Sequence, residues 1–164
     1  MKADLHNHSY YSDGLLSPSE LVRLASKANC DLFSLTDHDT TDGIAEARLE
    51  ADKVGLNLIN GVEISAFWRN MAIHIVGLGV DVDNDILQAG LMHNKELRKI
   101  RAEKIALSLR RSGIMDALEK AKSISGGHML TRTHFAQMLI QEGYCKDMKS
   151  VFRRYLTGKK PGGV

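Results

Sequence analysis

Two histidines near the start of the chain are spaced to bind one metal ion. His6 and His8 lie in the segment Asp4-Leu5-His6-Asn7-His8, and Ser12-Asp13-Gly14 follows a few residues later. In a β-strand, residues i and i+2 point to the same side, so both imidazoles face one point. The carboxylate of Asp13 adds a third ligand type, and the pattern predicts a metal site at the end of a strand.

Four further segments supply side chains that bind metals or phosphate. They are Thr36-Asp37-His38-Asp39-Thr40, Gly61-Val62-Glu63, Ile73-His74-Ile75 and Arg132-Thr133-His134. Neutral imidazoles together with carboxylates suit zinc, manganese or iron. Glu63 follows an apolar stretch, where a carboxylate is costly unless it is paired or bound to a cation. As a bridging ligand it could hold two cations.

Each of these segments also has a purely structural interpretation. Asp13-Gly14 is typical of a turn, and residues 39–41 could cap the following helix. Asp37 or Asp39 could instead orient an imidazole as a hydrogen-bond acceptor. His74, inside an apolar stretch, could be a hydrogen-bonded core histidine. The presence of the other histidines favours a metal ligand at position 74.

Hydrophobic periodicity indicates alternating strands and helices in the first half of the chain. Strands are predicted over 3–5, 31–36, 56–62 and 72–80. The capping box Ser17-Pro18-Ser19-Glu20 opens a first helix, and Gly55 closes a second. The order β-α-β-α-β predicts an α/β fold with a parallel sheet. The candidate ligands fall near the carboxyl ends of strands, where α/β barrels build their sites.

The pattern becomes helical after residue 84. Helices are predicted over 91–111, 115–125, 134–142 and 148–156, with a loop over 158–164. We therefore divide the chain into an α/β part, residues 1–84, and a basic helical part, residues 85–164. Four parallel strands cannot close a barrel. We then expect the open sheet edge to be covered either by another chain, for example a second copy through self-association, or by a part of this chain that the sequence lacks.

Composition separates the two parts by charge. Residues 1–92 carry six Lys/Arg and 14 Asp/Glu, a net charge of −8, whereas residues 93–164 carry 16 and six, a net charge of +10. An acidic half suits cations and a basic half suits phosphate or nucleic acid, although solvated helical faces could also produce this bias. Two isolated cysteines and the lack of a long apolar run predict a reduced, cytoplasmic protein without a membrane span.

The combined motifs resemble the polymerase-and-histidinol-phosphatase (PHP) family of metal-dependent phosphoesterases. The resemblance implies the N-terminal part of a distorted TIM-like barrel with a helical insertion. It also implies a centre of two or three divalent ions, manganese, iron or zinc. It places the metal ligands at His6, His8, Asp13, His38, Glu63 and His74, with Glu63 bridging two ions.

The helical part is similar to the insertion of one branch of that family. This branch includes 3′,5′-nucleoside bisphosphate phosphatases and the 5′-to-3′ exoribonuclease RNase AM. By that resemblance, Arg132 and His134 bind the substrate phosphate and take part in catalysis. Arg98 and Arg101 could add phosphate contacts or lie on a solvated helix face. The implied partner is a nucleotide or a short RNA, and no membrane.

Three further ligands of the family follow the insertion and have no counterpart in this sequence. The sequence therefore supports two hypotheses: a metal-dependent phosphoesterase, or a truncated, non-catalytic chain that binds only metal, phosphate or RNA. A third, a metal hydrolase of C–N bonds from a related barrel, also uses an early His-x-His. The elements Thr-Asp-His-Asp-Thr and Gly-Val-Glu-Ile-Ser count against it.

Overall fold

The computed structural model describes residues 1–69, 71–158 and 160–163, so Lys159 and Val164 of the expected terminal loop lie outside the described residues. The chain forms two compact units, Met1–Lys95 and Glu96–Val164. The predicted division after residue 84 stays a prediction.

The first unit is built on a short parallel sheet. Among the described residues, its strands are β1 (Ala3–Asp4), β2 (Leu32–Phe33) and β3 (Asn57–Leu58), in that spatial order. Two helices, α1 (Pro18–Lys27) and α2 (Ile44–Val54), form the crossovers between them. The predicted α/β class with parallel strands is therefore confirmed. The core of this unit consists of Val22, Ala25, Phe33, Leu35, Ala47, Ala51 and Leu56.

Helix α1 starts where the capping box predicts. The backbone N–H of Glu20 donates to the Ser17 hydroxyl at 3.1 Å, and the backbone N–H of Ser17 donates to the Glu20 carboxylate at 2.8 Å. These two bonds satisfy amide groups that the first helical turn leaves without partners. The local sequence alone thus determines where this helix begins.

The remaining strands of the unit form an antiparallel hairpin. Strand β4 (Gly61–Trp68) pairs with β5 (Met71–Leu78) from Gly61 opposite Leu78 to Trp68 opposite Met71. The sequence-based expectation of a fourth parallel strand over 72–80 is wrong. Strand β4 extends to residue 68 and leaves only two residues before β5, whereas a parallel crossover needs about a dozen. Arg69, at φ 47°, takes up the left-handed conformation that such a tight turn requires.

Strand β5 is apolar, yet most of it faces solvent. Met71 is 59% exposed and Ile75 is 51% exposed. The side chain of His74 is itself 39% exposed, so His74 is not a core histidine in this structure.

The second unit is helical, as the sequence predicts. Helix α3 (Asp85–Arg111) is followed by α4 (Ala117–Ile124), α5 (Arg132–Gln141) and α6 (Met148–Val151). A π-helical segment over Phe152–Leu156 extends α6. The core of the unit is formed by Ala102, Ile105, Leu109, Ile114, Ala117, Ala121, Phe135, Ala136, Met138, Leu139, Cys145, Val151 and Leu156. None of the described helices is long and apolar enough to span a membrane.

Removal of the Ser17 cap should destabilise the chain. We expect Ser17→Ala to lower the free energy of unfolding by about 1 kcal/mol, because the amide of Glu20 loses its acceptor. Urea titration followed by circular dichroism measures this change. Ser123→Ala, at an exposed position of α4, is the control and should change stability by less than about 0.5 kcal/mol. Equal stability of the two variants would contradict the role of the cap.

Candidate metal centre

The site is organised around the carboxylate of Glu63, which is only 5% exposed. One oxygen, Oε2, lies 2.7 Å from Nε2 of His6 and 3.1 Å from Nε2 of His8. The other, Oε1, lies 2.5 Å from Nδ1 of His74 and 3.6 Å from Nδ1 of His38. Each carboxylate oxygen thus faces two imidazoles, which is the arrangement expected of a bridging ligand.

Asp13 joins the same cluster from the opposite side of two of the rings. Its Oδ1 lies 4.0 Å from Nδ1 of His8 and 3.9 Å from Nε2 of His38. The rings of His8 and His38 stack with centroids 4.5 Å apart. Asp13 can therefore share a cation with either imidazole.

The cluster contains three overlapping sets of possible ligands within the described residues. In each set, the ligand atoms lie within 4.8 Å of one another. Residues that belong to two sets would connect neighbouring ions. The sets are His6–His8–Glu63, His8–Asp13–His38 and His38–Glu63–His74.

Backbone pairing brings Glu63 to the histidine at position 38. Residues 38 and 63 form an isolated parallel bridge. The N–H of Glu63 donates to the carbonyl of Asp37 at 3.1 Å, and the N–H of Asp39 donates to the carbonyl of Glu63 at 2.8 Å. The start of β4 thereby continues the parallel sheet for one residue before the hairpin diverges.

Asp37 holds the loop that connects the first histidines to Asp13. Its carboxylate accepts bonds from the N–H of Ser9 at 2.7 Å and from the hydroxyls of Ser9 and Ser12 at 2.6 Å each. Burial raises the pKa of Asp37 above its ordinary value, although these hydrogen bonds act in the opposite direction. The acceptor role that the sequence suggests for Asp37 exists, but its donors are serines rather than an imidazole.

The backbone at Gly14 lies close to the carbonyl of His8, which brings the neighbouring Asp13 near His8. A Cβ atom on Gly14 would lie 1.9 Å from the carbonyl oxygen of His8. The N–H of Gly14 donates to the carbonyl of Ser9 at 2.9 Å. Only glycine fits there. The turn interpretation of Asp13-Gly14 and the ligand interpretation therefore hold together.

Asp39 ties the His38 segment to β4 and α3. Its carboxylate accepts bonds from the N–H and hydroxyl of Ser65, both at 2.7 Å, and from the amide of Asn94 at 2.8 Å. Within the described chain, α2 begins after Gly43 without a side-chain cap, so the interpretation of residues 39–41 as its cap is wrong. Sequence reasoning missed Ser9, Ser65 and Asn94, since single polar residues carry no local signal for such distant partners.

The electrostatics of Glu63 suit a cation. Burial acts to raise its pKa, but the hydrogen bond from His6 and the neighbouring imidazoles outweigh burial and hold the pKa of Glu63 below its ordinary value. The carboxylate therefore remains ionised at neutral pH.

The residues present fit divalent metal ions. Nδ1 of His8 is buried and has no hydrogen-bond partner in the described part of the chain, and such an atom is costly unless something binds it. Four imidazoles and two carboxylates are the ligand types of zinc, manganese and iron. The side chains of His6 and His74 are 55% and 39% exposed, so these two rings are accessible to solvent in this structure. The assignment of each residue as a ligand stays a prediction.

The other predicted site residues lie in the second unit. Arg132 is the first residue of α5. His134 is 4% exposed, and its Nδ1 accepts a bond from the N–H of Thr131 at 3.0 Å. Arg98 is 7% exposed, so it does not lie on a solvated helix face, whereas Arg101 is half-buried.

Comparison with known proteins identifies the family. The model of the PHP domain matches residues 4–160. A 3′,5′-nucleoside bisphosphate phosphatase of Chromobacterium violaceum is 44% identical over 162 residues, which cover 98% of this chain and 57% of the relative. The 5′-3′ exoribonuclease Rnm of Escherichia coli is 44% identical over 163 residues, covering 98% and 56%. The chain belongs to the PHP family.

A solved structure agrees with the fold. An amidohydrolase from Chromobacterium violaceum, with bound sulfate and no metal, superimposes with a TM-score of 0.93 at 43% identity. The match covers all of this chain and 58% of that one. The predicted family and fold class are confirmed, and the chain spans a little more than half the length of the curated relatives that it matches.

Neutralising Glu63 should remove metal binding. We expect Glu63→Gln to weaken the affinity for Mn²⁺ by at least roughly a hundredfold. Substitution of a residue that only hydrogen-bonds to a metal ligand already lowers metal affinity by about 10- to 100-fold. Titration calorimetry and metal content by mass spectrometry measure the loss. Glu50→Gln, which changes a buried carboxylate paired with Arg23 on α1, is the control and should bind Mn²⁺ as the wild type does. Similar affinities for the two variants would contradict the central position of Glu63.

Weakening the bonds to Asp37 should loosen the metal centre. We expect Ser12→Ala to lower the free energy of unfolding by about 1–3 kcal/mol, because a buried carboxylate loses a donor. It should also reduce the rise in melting temperature on addition of Mn²⁺. The matched control is Ser34→Ala, because the buried hydroxyl of Ser34 has no hydrogen-bond partner among the described residues. If both variants respond to Mn²⁺ like the wild type, the loop does not depend on Asp37.

Proposed function

We propose that this chain supplies the metal-binding part of a phosphoesterase. Its substrate would be a phosphate ester of a nucleotide, either a 3′,5′-nucleoside bisphosphate or the 5′ end of an RNA. The observation that carries the proposal is the convergence of four imidazoles on the buried carboxylate of Glu63, with Asp13 beside two of those rings. The names of the relatives in Chromobacterium violaceum and Escherichia coli support the substrate class.

Six side chains would hold two or three ions, with manganese, iron and zinc as the candidates. When bound, such ions supply a hydroxide nucleophile at neutral pH and offset the charge of the phosphate oxygens. The chain's own contribution is the orientation of the ligands through the hydrogen bonds of Asp37 and Asp39. The ligands are His6, His8, Asp13, His38, Glu63 and His74.

Arg132 would bind the substrate phosphate. A guanidinium group can donate two parallel hydrogen bonds to two phosphate oxygens. Its position as the first residue of α5 places it where backbone N–H groups and the helix dipole also favour an anion. A phosphate held in this way presents its ester bond in a fixed orientation.

His134 would donate a hydrogen bond to the substrate. Because its Nδ1 accepts a bond from the N–H of Thr131, the neutral ring carries its proton on Nε2. That proton can stabilise a phosphate oxygen or pass to the leaving group. Sequence reasoning named this histidine but did not find the bond that determines its tautomer. Arg98 and Arg101 would add positive charge near the phosphate.

A second candidate function is binding without catalysis. The chain spans 57% of the 3′,5′-nucleoside bisphosphate phosphatase that it matches. Of the nine ligand positions that the family resemblance implies, six have a match in this sequence. A chain that binds metal but releases no phosphate would support this candidate. The two functions therefore differ in turnover, not in metal content.

Phosphate release from adenosine 3′,5′-bisphosphate tests the proposal on the purified chain with Mn²⁺. We expect turnover, and we expect Arg132→Ala to lower kcat/KM by about 100- to 1,000-fold, the usual cost of losing one stabilising donor. Arg153→Ala, an exposed arginine of the π-helical segment, should lower it less than about threefold. If the chain binds metal but releases no phosphate, the catalytic function is wrong and binding without catalysis is supported. If Arg132→Ala and Arg153→Ala lower kcat/KM equally, Arg132 does not bind the substrate.

A further inference from the structure

One face of the hairpin extends the metal centre outward. Glu63, Ser65 and Phe67 alternate along β4 and so project from the same side of the strand. The register places Ser65 opposite His74 and Phe67 opposite Ala72, and directly opposed residues share a face. Glu63 and His74 are metal-cluster residues on this face, so Phe67 lies on the metal-binding face as well.

The spacing along the strand places Phe67 next to the cluster. Phe67 lies two strand residues beyond Ser65, which is opposite the cluster residue His74. Two strand residues span about 7 Å. A phosphate at the metal cluster, followed by one ribose, would carry its base across such a step. The ring is therefore at the position where the base of a bound nucleotide would be expected.

Among the described residues, the strand neighbours of Phe67 leave its ring largely exposed. Its side chain is 74% exposed, and the opposed residue, Ala72, is too small to cover it. Phenylalanine is among the residue types most often buried. Exposed aromatic rings beside a phosphate-binding site are the usual means by which proteins stack nucleobases.

Hydrogen bonds hold Ser65, the preceding residue on the same face of β4, in place. The hydroxyl and N–H of Ser65 donate to Asp39, and the amide of Asn94 donates to the carbonyl of Ser65 at 2.8 Å. These bonds connect β4 to the segment that carries His38. The part of β4 that precedes Phe67 is therefore held against the cluster in the ligand-free chain.

We propose that Phe67 is the stacking platform for the nucleobase of the substrate, whose phosphate binds at the metal cluster. This inference rests on the proposed function and adds a residue that selects nucleotides over other phosphate esters. Trp68 provides an internal comparison, because it projects from the opposite face of β4 and contacts Arg69 with a guanidinium-to-ring distance of 5.6 Å.

The test compares two ligands that differ only in the base. Dissociation constants of adenosine 5′-monophosphate and of base-free 1-deoxyribose 5-phosphate are measured by calorimetry on the full chain saturated with Mn²⁺. The variants are Phe67→Leu, which keeps an apolar side chain without a π face, and Phe67→Tyr, which keeps the ring. Trp68→Leu is the matched control. Metal content and circular dichroism of every variant report on the cluster and the fold.

We expect Phe67→Leu to weaken binding of the adenosine nucleotide by roughly 5- to 150-fold, the loss of one base–aromatic stack. Binding of the base-free phosphate should change less than about twofold, and Phe67→Tyr and Trp68→Leu should resemble the wild type. Unchanged nucleotide affinity in Phe67→Leu, or an equal loss for both ligands, would overturn the platform.

The wild type separates this inference from the proposed function. If it binds the base-free phosphate as tightly as the nucleotide, the platform is wrong while the metal and phosphate site stands. If it binds neither metal nor phosphate, the proposed function fails, and the inference fails with it.

Discussion

The metal-binding unit depends on one buried carboxylate surrounded by imidazoles. Glu63 is nearly inaccessible to solvent, and its ionised form is favoured only because four histidines lie around it. Without them, a charge in this position would be costly. The same imidazoles that offset the burial of this charge also complete the candidate ligand sets for a cation. The segments that carry the four histidines all approach this carboxylate.

Two aspartates on either side of His38 hold those segments in place. Asp37 binds the loop between His8 and Asp13 through serine donors, and Asp39 binds β4 and α3. A single short segment thereby connects the loop, the hairpin and the helix. Because both carboxylates are buried, their hydrogen bonds are strong and costly to break. The hydrogen bonds of Asp37 and Asp39 therefore help to position the candidate ligands, in addition to the contacts among the ligands themselves.

The hairpin has two different faces, and each has its own consequence. One face carries Glu63 and His74 at its inner end and Phe67 at its outer end. The other carries Ile73, Ile75 and Met71, which are substantially exposed. Strand alternation makes this separation possible, since consecutive residues of one strand serve different surroundings. The metal centre and a neighbouring aromatic surface can therefore share one element.

The sequence by itself determined the types of candidate ligand, the α/β order, the start of α1 and the helical second half. These features follow from spacing, capping and periodicity over a few neighbouring residues. Only the tertiary structure decided that β4 and β5 pair antiparallel and that Ser9 and Ser12 bind Asp37. Strand partners and buried hydrogen bonds such as those of Asp37 join residues that lie far apart in the chain. Such contacts depend on how the whole chain packs, and local residue patterns carry no record of it.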